Sequence, residues 1–362
     1  MTRPRSTRSQ PRPHLLTFRS GGWVILLATV LVLTIVIWHL VAVLNTPHTA
    51  AIGDGRHVET YAFDLSTCLV PREQLVAAGF PKDGLPTFSN PQALTLAAAE
   101  KLDREMRGSH IGKFMVGKER VVGVALNGQS RAYALKILTW HEVVNDTLAG
   151  VPIAVTYNPL CDSVVVFDRR AAGQVLEFGV SGLLYNSNLL MYDRRPDGAG
   201  ESLWSQLQFR AVAGPAAACG TTLRVLPCAV LPWSQWQKQH PATTVLAPDP
   251  ACTKLYKRTY AEYFGSDRLR FPVAPLPPHD IHYKTPLIAV QVDNAWHRFL
   301  LPDLATRVDE TGQWQTTLSG RPVTFHYVAE PATAWVTADV DAPPPVAYSF
   351  WFAWYACTTA RP

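Results

Sequence analysis

Apolar and polar positions divide the chain into two regimes. Residues 21–44, GGWVILLATVLVLTIVIWHLVAVL, carry no Asp, Glu, Lys or Arg and are dominated by leucine and β-branched residues. A helix of this length at 1.5 Å per residue crosses a hydrocarbon core of about 30 Å. Trp23 and Trp38 fall near its two ends, where amphipathic rings favour the membrane interface. The apolar run exceeds the core of a cleaved signal peptide, and no small-x-small cleavage site follows it. The expectation is an uncleaved signal anchor. Residues 45–60, NTPHTAAIGDGRHVET, are small and polar and read as a linker.

Beyond residue 60 the apolar residues come in short runs. SNPQALTLAAAEKLDREMRG predicts a helix, with Asn90 as cap, Pro91 in the first turn and Gly108 as stop. Leu94, Ala98, Leu102 and Met106 would share its buried face. PREQLVAAG and PWSQWQKQHP are shorter helical candidates. RVVGVALN, RAYAL, PIAVTY, SVVVFD, QVLEFGV, LLMYD and LRVLP read as strands between Gly, Pro and Asn-Gly punctuation. The fold class is therefore α+β, predominantly β, preceded by one transmembrane helix.

The strand pattern repeats. VVGVALNGQSRAYALKIL resembles PLIAVQVDNAWHRFLLPDL, each a strand, a two-residue turn, a strand and a short helix or loop. The turns are Asn127-Gly128 and Asp293-Asn294, pairs suited to the two positive φ values of a type I′ hairpin. Further on, TLAGVPIAVTYNP matches TLSGRPVTFHYVA. Two copies, about residues 119–168 and 285–328, predict a pseudo-duplicated β-rich domain over residues 61–362. WHEVVND, between the halves of copy one, has no counterpart in copy two. A polar constellation in one copy of a shared scaffold is what a grafted site looks like.

Composition sharpens this picture at three points. Hydrophobic residues make up 48% and charged residues 17% of the 362, which excludes general disorder. The net charge of +5 resides in a basic arm, residues 1–20, with Arg3, Arg5, Arg8, Arg12 and Arg19; without those five, basic and acidic residues balance. Such a chain lacks the basic face of a nucleic-acid binder. Arginines before the span and none just after it place the N-terminus in the cytoplasm and the rest outside it, periplasmic or extracellular, with the lipid bilayer contacted through residues 21–44. Six cysteines would then meet an oxidising compartment. No CxxC occurs, and a Cys219–Cys228 disulfide across CGTTLRVLPC is plausible.

Candidate chemistry centres on TYNPLCDSVVVFD. Cys161 has three readings: a metal ligand, a nucleophile or a buried thiol. His141 and Asp146, one strand earlier, are the candidate base and orienter for a thiolate. Cys161, His141 and Met191 are the candidate ligands of copper or another soft metal ion. Asn158, Ser181, Asn186, Asp193 and Trp204 are candidate ligand-binding residues. Ser181 is not a nucleophile elbow: Gly179 precedes it, but Leu183 stands where GxSxG needs glycine.

RAYALKILTWHEVVNDTLAGVPIAVTYNPLCDSVVVFD, FGVSGLLYNSNLLMYDRR, ESLWSQ, YFGSDRLRFPV and FWFAWYA together resemble the prokaryotic family called domain of unknown function 3179, over about residues 80–357. The resemblance implies no established activity. Family members usually carry Cys-Pro-Leu-Cys where this chain has Asn158-Pro159-Leu160-Cys161. They follow the terminal aromatic motif with Phe-His-Pro where this chain has Cys357-Thr358-Thr359. If those cysteines and the late histidine form a metal or redox site, this chain has lost part of it. Three functional readings stand: binding of a small ligand, metal or unidentified protein through a partly degenerate Cys/His site; a cysteine-dependent enzyme; and a structural or interaction domain.

Overall fold

The computed structural model describes residues 22–45, 51–106, 115–196, 198–338 and 342–359. Two compact units divide at Ala51 and Ile52. The first contains the helix Gly22–Asn45. Every described side chain along it is exposed and apolar or threonine, and Thr29 and Thr34 donate their hydroxyls to the carbonyls of Ile25 and Val30, each at 2.8 Å. Among the described residues no helix is long and apolar enough to cross a membrane. The described side chains run from Trp23 to Trp38, about 24 Å at the helical rise. The basic arm, residues 1–20, lies outside the described residues.

The second unit starts at Ile52, inside the segment expected as a linker, and Tyr61 is fully buried there. Strands dominate it. Its central sheet has seven strands, in the order Ala295–Leu300, Pro286–Val292, Val346–Phe350, Ser163–Asp168, Val151–Asn158, Val143–Leu148 and Phe88–Ser89. Both faces are covered, so several of these strands are continuous apolar runs rather than alternating ones. Along Ser163–Asp168, Val164 and Val166 enter one core while Val165 and Phe167 enter the other. Ile288 and Val290 divide from Leu287 and Ala289 in the same way.

The duplication is present in the backbone. Copy one runs through the strands Arg120–Leu126 and Gln129–Ala134, the helix Leu135–Leu138 and the strands Val143–Leu148 and Val151–Asn158. Copy two runs through Pro286–Val292, Ala295–Leu300, Leu301–Ala305, Gln313–Leu318 and Arg321–Ala329 in the same order. All four hairpin turns have positive φ at both central residues: Asn127-Gly128, Ala149-Gly150, Asp293-Asn294 and Ser319-Gly320. The repeat extends further than the sequence pattern suggested. Ala229–Pro232 pairs with the first strand of copy one, and Val346–Phe350 pairs with the first strand of copy two in the same register. Each is followed by a helix opening Trp-x-x-Trp, at Trp233 and Trp236 and at Trp351 and Trp354. The copies interlock, because Val346–Phe350 also pairs with Ser163–Asp168 of copy one.

Between the two parts of copy one lies an insertion whose strands Phe178–Tyr185, Asn188–Asp193, Leu203–Ser205 and Arg210–Ala213 form a second sheet with Leu75–Ala77. This sheet and the C-terminal helix Trp351–Thr359 share one core, which also contains Cys161.

Local expectations differ from the structure in five places, one of them QVLEFGV, which divides between the strands Gln174–Val175 and Phe178–Tyr185. The helix expected from Asn90 begins at Leu96, because Ala93–Leu94 pairs with Thr244–Leu246 and Thr95 receives the N–H of Ala98 at 3.3 Å. Its expected stop, Gly108, lies outside the described residues. PREQLVAAG forms one 3-10 turn, Arg72–Gln74, and then the strand Leu75–Ala77, which the insertion sheet captures. LRVLP makes only one isolated bridge, at Val225, with a second at Thr222 just before it. All six cysteines are free thiols; Cys219 is exposed and Cys228 faces the core beside Val230 and Tyr348, so the expected Cys219–Cys228 bridge is not formed.

Gly123, on the first strand of copy one, lies under the Trp236 ring, where an added Cβ would stand 2.3 Å from its atoms. Gly123→Ala is expected to lower stability by about 1–3 kcal/mol through overpacking, read as a reduced thermal midpoint of the full chain. Ala289 occupies the equivalent place in copy two by register, and Ala289→Gly should produce the smaller change of the two.

Candidate functional site

Cys161 sits in the turn between Val151–Asn158 and Ser163–Asp168 and is fully buried. The turn is pinned from outside by Arg120, whose two guanidinium nitrogens donate to the Asp162 carboxylate at 2.8 and 2.9 Å, and by the Tyr157 hydroxyl, which donates to the same carboxylate at 2.9 Å. The C-terminal segment pins it from inside, where the Phe350 N–H donates to the Cys161 carbonyl at 2.7 Å. The thiol donates to the Ser187 carbonyl at 3.2 Å. Burial first, and then the neighbouring Cys357, push the Cys161 thiol well above its usual range. Cys357 is itself pushed up to about 12 by burial. A thiolate is the reactive form, so both sulfurs are protonated and quiet at neutral pH.

Around Cys161 lies a closed polar network. Asn188 donates to the Ser163 hydroxyl and the Gln206 carbonyl oxygen at 3.0 and 2.9 Å, Ser163 donates to Gln206 at 2.6 Å, and Gln206 donates to the Thr156 hydroxyl at 2.8 Å. All four residues are buried. Such groups must be bonded when removed from water, and here they join the central sheet to the insertion sheet.

The segment after Leu135–Leu138 sends its side chains apart. His141 points toward Pro86 and Tyr256: Nδ1 lies 2.6 Å from the Pro86 carbonyl and Nε2 lies 2.8 Å from the Tyr256 hydroxyl. A carbonyl only accepts, so Nδ1 carries the hydrogen; in the neutral ring Nε2 then accepts from Tyr256. Burial lowers the imidazole pKa, which favours that neutral form. Asp146 is occupied by Arg131 and the Tyr133 hydroxyl, at 2.5 and 2.7 Å. No hydrogen bond joins His141 to Cys161 or to Asp146 among the described residues. His141 instead lies with Asp249 and Cys252, their ligand atoms all within 4.8 Å of one another. This grouping was not legible in the sequence, since Asp249 follows His141 by 108 positions.

Glu142 turns the other way, at a φ of 55° that side chains rarely adopt. It is 6% exposed, and its carboxyl group has no hydrogen-bond or ion-pair partner among the described residues. Burial pushes it up to about 8. It faces a cavity of about 470 Å³ whose lining includes Phe80, Trp140, Leu160, Tyr260 and Arg270. The buried indole N–H of Trp140 likewise has no partner. Arg270 is exposed, with its guanidinium 5.0 Å from the Tyr260 and Tyr263 ring centroids and no carboxylate paired to it among the described residues. Lys284 fixes the loop between Tyr263 and Arg270 by donating to the carbonyls of Tyr263, Ser266 and Arg268, at 2.5, 2.6 and 3.0 Å. Glu142 lay in the segment singled out from the sequence, but its role was not visible there because the backbone direction at this residue decides it.

The remaining candidates are bonded within the protein. Ser181 donates to the Leu190 carbonyl at 2.6 Å. Asn186 accepts from the Ala274 N–H at 2.9 Å. Asp193 accepts from the Ser202 N–H and the Trp204 indole at 2.7 and 3.0 Å. Met191 is buried between Val180 and Trp204 on neighbouring strands, in the same core as Cys161. The Asn158 carbonyl oxygen accepts from the Cys161 N–H at 3.2 Å, while its side-chain N–H group is buried without a partner.

Residues 82–359 match the family described as "Protein of unknown function (DUF3179)". The chain belongs to this family. No curated protein and no solved structure matches it. Asn158 caps the Cys161 turn, and the thiol that adds to the upward shift of Cys161 is that of Cys357 on the last helix.

Alkylation of the native protein is expected to label Cys219 promptly and to reach Cys161, Cys228 and Cys357 only after unfolding. Peptide mass spectrometry reads the order; rapid native labelling of Cys161 would contradict its burial.

Proposed function

We propose that this DUF3179 chain is a membrane-anchored extracytoplasmic protein that binds a small molecule in the Glu142 cavity. The molecule carries an ammonium group for Glu142, an apolar ring or chain for the aromatic walls, and a carboxylate for Arg270 at the mouth. One observation carries this reading: the Glu142 carboxyl group, on a residue only 6% exposed and with burial alone acting on its pKa, lines an open cavity of about 470 Å³. Unpaired buried acids are costly, and fixed scaffolds retain them where a ligand completes the pair. The volume falls within the range of small-molecule sites, about 300–1,000 Å³. Apolar walls with a few convergent polar groups fit the same class.

The anchor is supported by the uncharged helix Gly22–Asn45, by the exposed apolar side chains described from Trp23 to Trp38 and by threonine hydroxyls turned back onto the helix. Arginines on one side only support an inside N-terminus. A cysteine-dependent reaction is the weaker reading, because the thiol is bonded to a carbonyl and the imidazole is held by Pro86 and Tyr256. General-base catalysis needs hydrogen-bond reach.

Phenylalanine and phenethylamine are suitable probes. Both are expected to raise the thermal midpoint of the full chain, and Glu142→Gln should weaken both by more than about tenfold, or about 1.4 kcal/mol. Arg270→Ala should weaken phenylalanine alone. Equal responses from wild type and Glu142→Gln would remove the cavity as the binding site.

For the anchor, a C-terminal fusion to a phosphatase that is active only outside the cytoplasm should be active and remain with the membrane fraction after an alkaline carbonate wash. Release by that wash, or an inactive reporter on a stable fusion, would reject this topology.

A further inference from the structure

We propose that His141, Asp249 and Cys252 form a binding site for a zinc-class divalent metal ion, separate from the Glu142 cavity. The three residues come from two distant stretches of chain, yet their nitrogen, oxygen and sulfur atoms lie within 4.8 Å of one another. Zinc bonds of about 2.0–2.3 Å in a tetrahedron put donor atoms roughly 3.3–3.8 Å apart. The cluster therefore needs a contraction on the order of 1 Å, within the reach of side-chain rotation.

The surroundings orient each ligand. Nδ1 of His141 donates to the Pro86 carbonyl, which leaves Nε2, 2.8 Å from the Tyr256 hydroxyl, as the nitrogen with a lone pair to offer. The Phe88 ring lies against the imidazole with centroids 4.2 Å apart and restricts its rotation. Asp249 and Cys252 are fixed relative to each other by the 3-10 turn Pro250–Cys252, which Asp249 caps through the Ala251 N–H. That turn brings the Cys252 thiol to 3.5 Å from the Asp249 carboxylate. Tyr256 closes the cluster, donating to Nε2 and accepting from the Asp249 N–H at 3.1 Å.

On binding, the Cys252 S–H bond breaks and its proton passes to solvent. Sulfur–metal, nitrogen–metal and oxygen–metal bonds form as the hydrated ion sheds all but one of its waters to solvent, and that last water completes four-coordination. The Tyr256 hydroxyl gives up Nε2 as its acceptor. Nothing is oxidised or reduced. One thiolate, one imidazole and one carboxylate suit zinc or cobalt(II); monovalent copper prefers sets richer in sulfur. The competing explanation is a hydrogen-bonded cluster that never holds an ion.

The test uses the full chain in detergent, stripped with a chelator and titrated with cobalt(II), the spectroscopic stand-in for zinc. Wild type should bind about one equivalent, with thiolate-to-cobalt charge-transfer absorption that zinc abolishes by displacement. Cys252→Ser should lose the absorption, and His141→Gln should weaken binding by more than about tenfold. Cys252→His, which keeps a ligand, should bind the ion without the sulfur band and so separates loss of ligation from loss of fold. Cys161→Ser and Glu142→Gln should both retain the band. Absence of the band in wild type, its survival in Cys252→Ser, or its loss in Cys161→Ser would each overturn the proposal. Because Glu142→Gln is expected to lose amine binding but keep the metal, failure of one site does not mimic failure of the other.

Discussion

The pairing of Val346–Phe350 with two strands from different copies holds the fold together. On one side it completes the first strand of its own repeat, and on the other it pairs with Ser163–Asp168 of copy one. Backbone groups in a sheet covered on both faces have no water to turn to, so this strand cannot be withdrawn without orphaning donors and acceptors on both neighbours. It also delivers the last helix to the core that contains Cys161, and its Phe350 N–H meets the Cys161 carbonyl directly. The central sheet, the duplication and the position of the thiol thus share one set of hydrogen bonds.

The sequence was most legible where local chemistry decides the backbone. Asn127-Gly128 and Asp293-Asn294 specify hairpins because few residues tolerate two positive φ values in succession. The continuous run of Ser163–Asp168 read as a strand for a related reason, burial on both faces. Legibility failed where a distant partner decides. Asn90-Pro91 has the chemistry of a helix start, but Thr244–Leu246 takes Ala93–Leu94 into a sheet first. The matching strand–helix units at Ala229–Pro232 and Val346–Phe350 escaped notice because the insertion lengthens only copy one, so no constant spacing links them to the earlier elements.

The candidate site was half legible for a similar reason. The segment unique to copy one does carry the unusual polar groups, as its lack of a counterpart suggested. Residue type alone could not say that His141 and Glu142 face different neighbours. The left-handed backbone at Glu142 makes that division, and it is held by the Glu142 N–H on the Leu138 carbonyl and the Tyr157 N–H on the Glu142 carbonyl, at 2.7 and 2.8 Å. Strain of this kind persists only where surrounding structure overdetermines it. The hairpin Val143–Leu148 and Val151–Asn158 supplies that constraint on one side, and the helix Leu135–Leu138 on the other.

Hydrogen bonding, rather than burial, distinguishes Cys161 from Glu142, which lies 19 positions earlier in the chain. Cys161 lacks access, charge and a base: its carbonyl, N–H and thiol are all bonded, its surroundings oppose a thiolate, and His141 is held by Pro86 and Tyr256. Glu142 is the opposite case, a largely buried group whose carboxyl faces an open cavity and whose pKa only burial shifts. A scaffold under no functional demand would be expected to satisfy the acid or replace it with an apolar residue, since either change relieves desolvation without disturbing the sheet. The satisfied thiol reads as structure and the unsatisfied acid as function. The cysteine is bonded at every polar atom, whereas the glutamate 19 positions before it presents its carboxyl to the cavity.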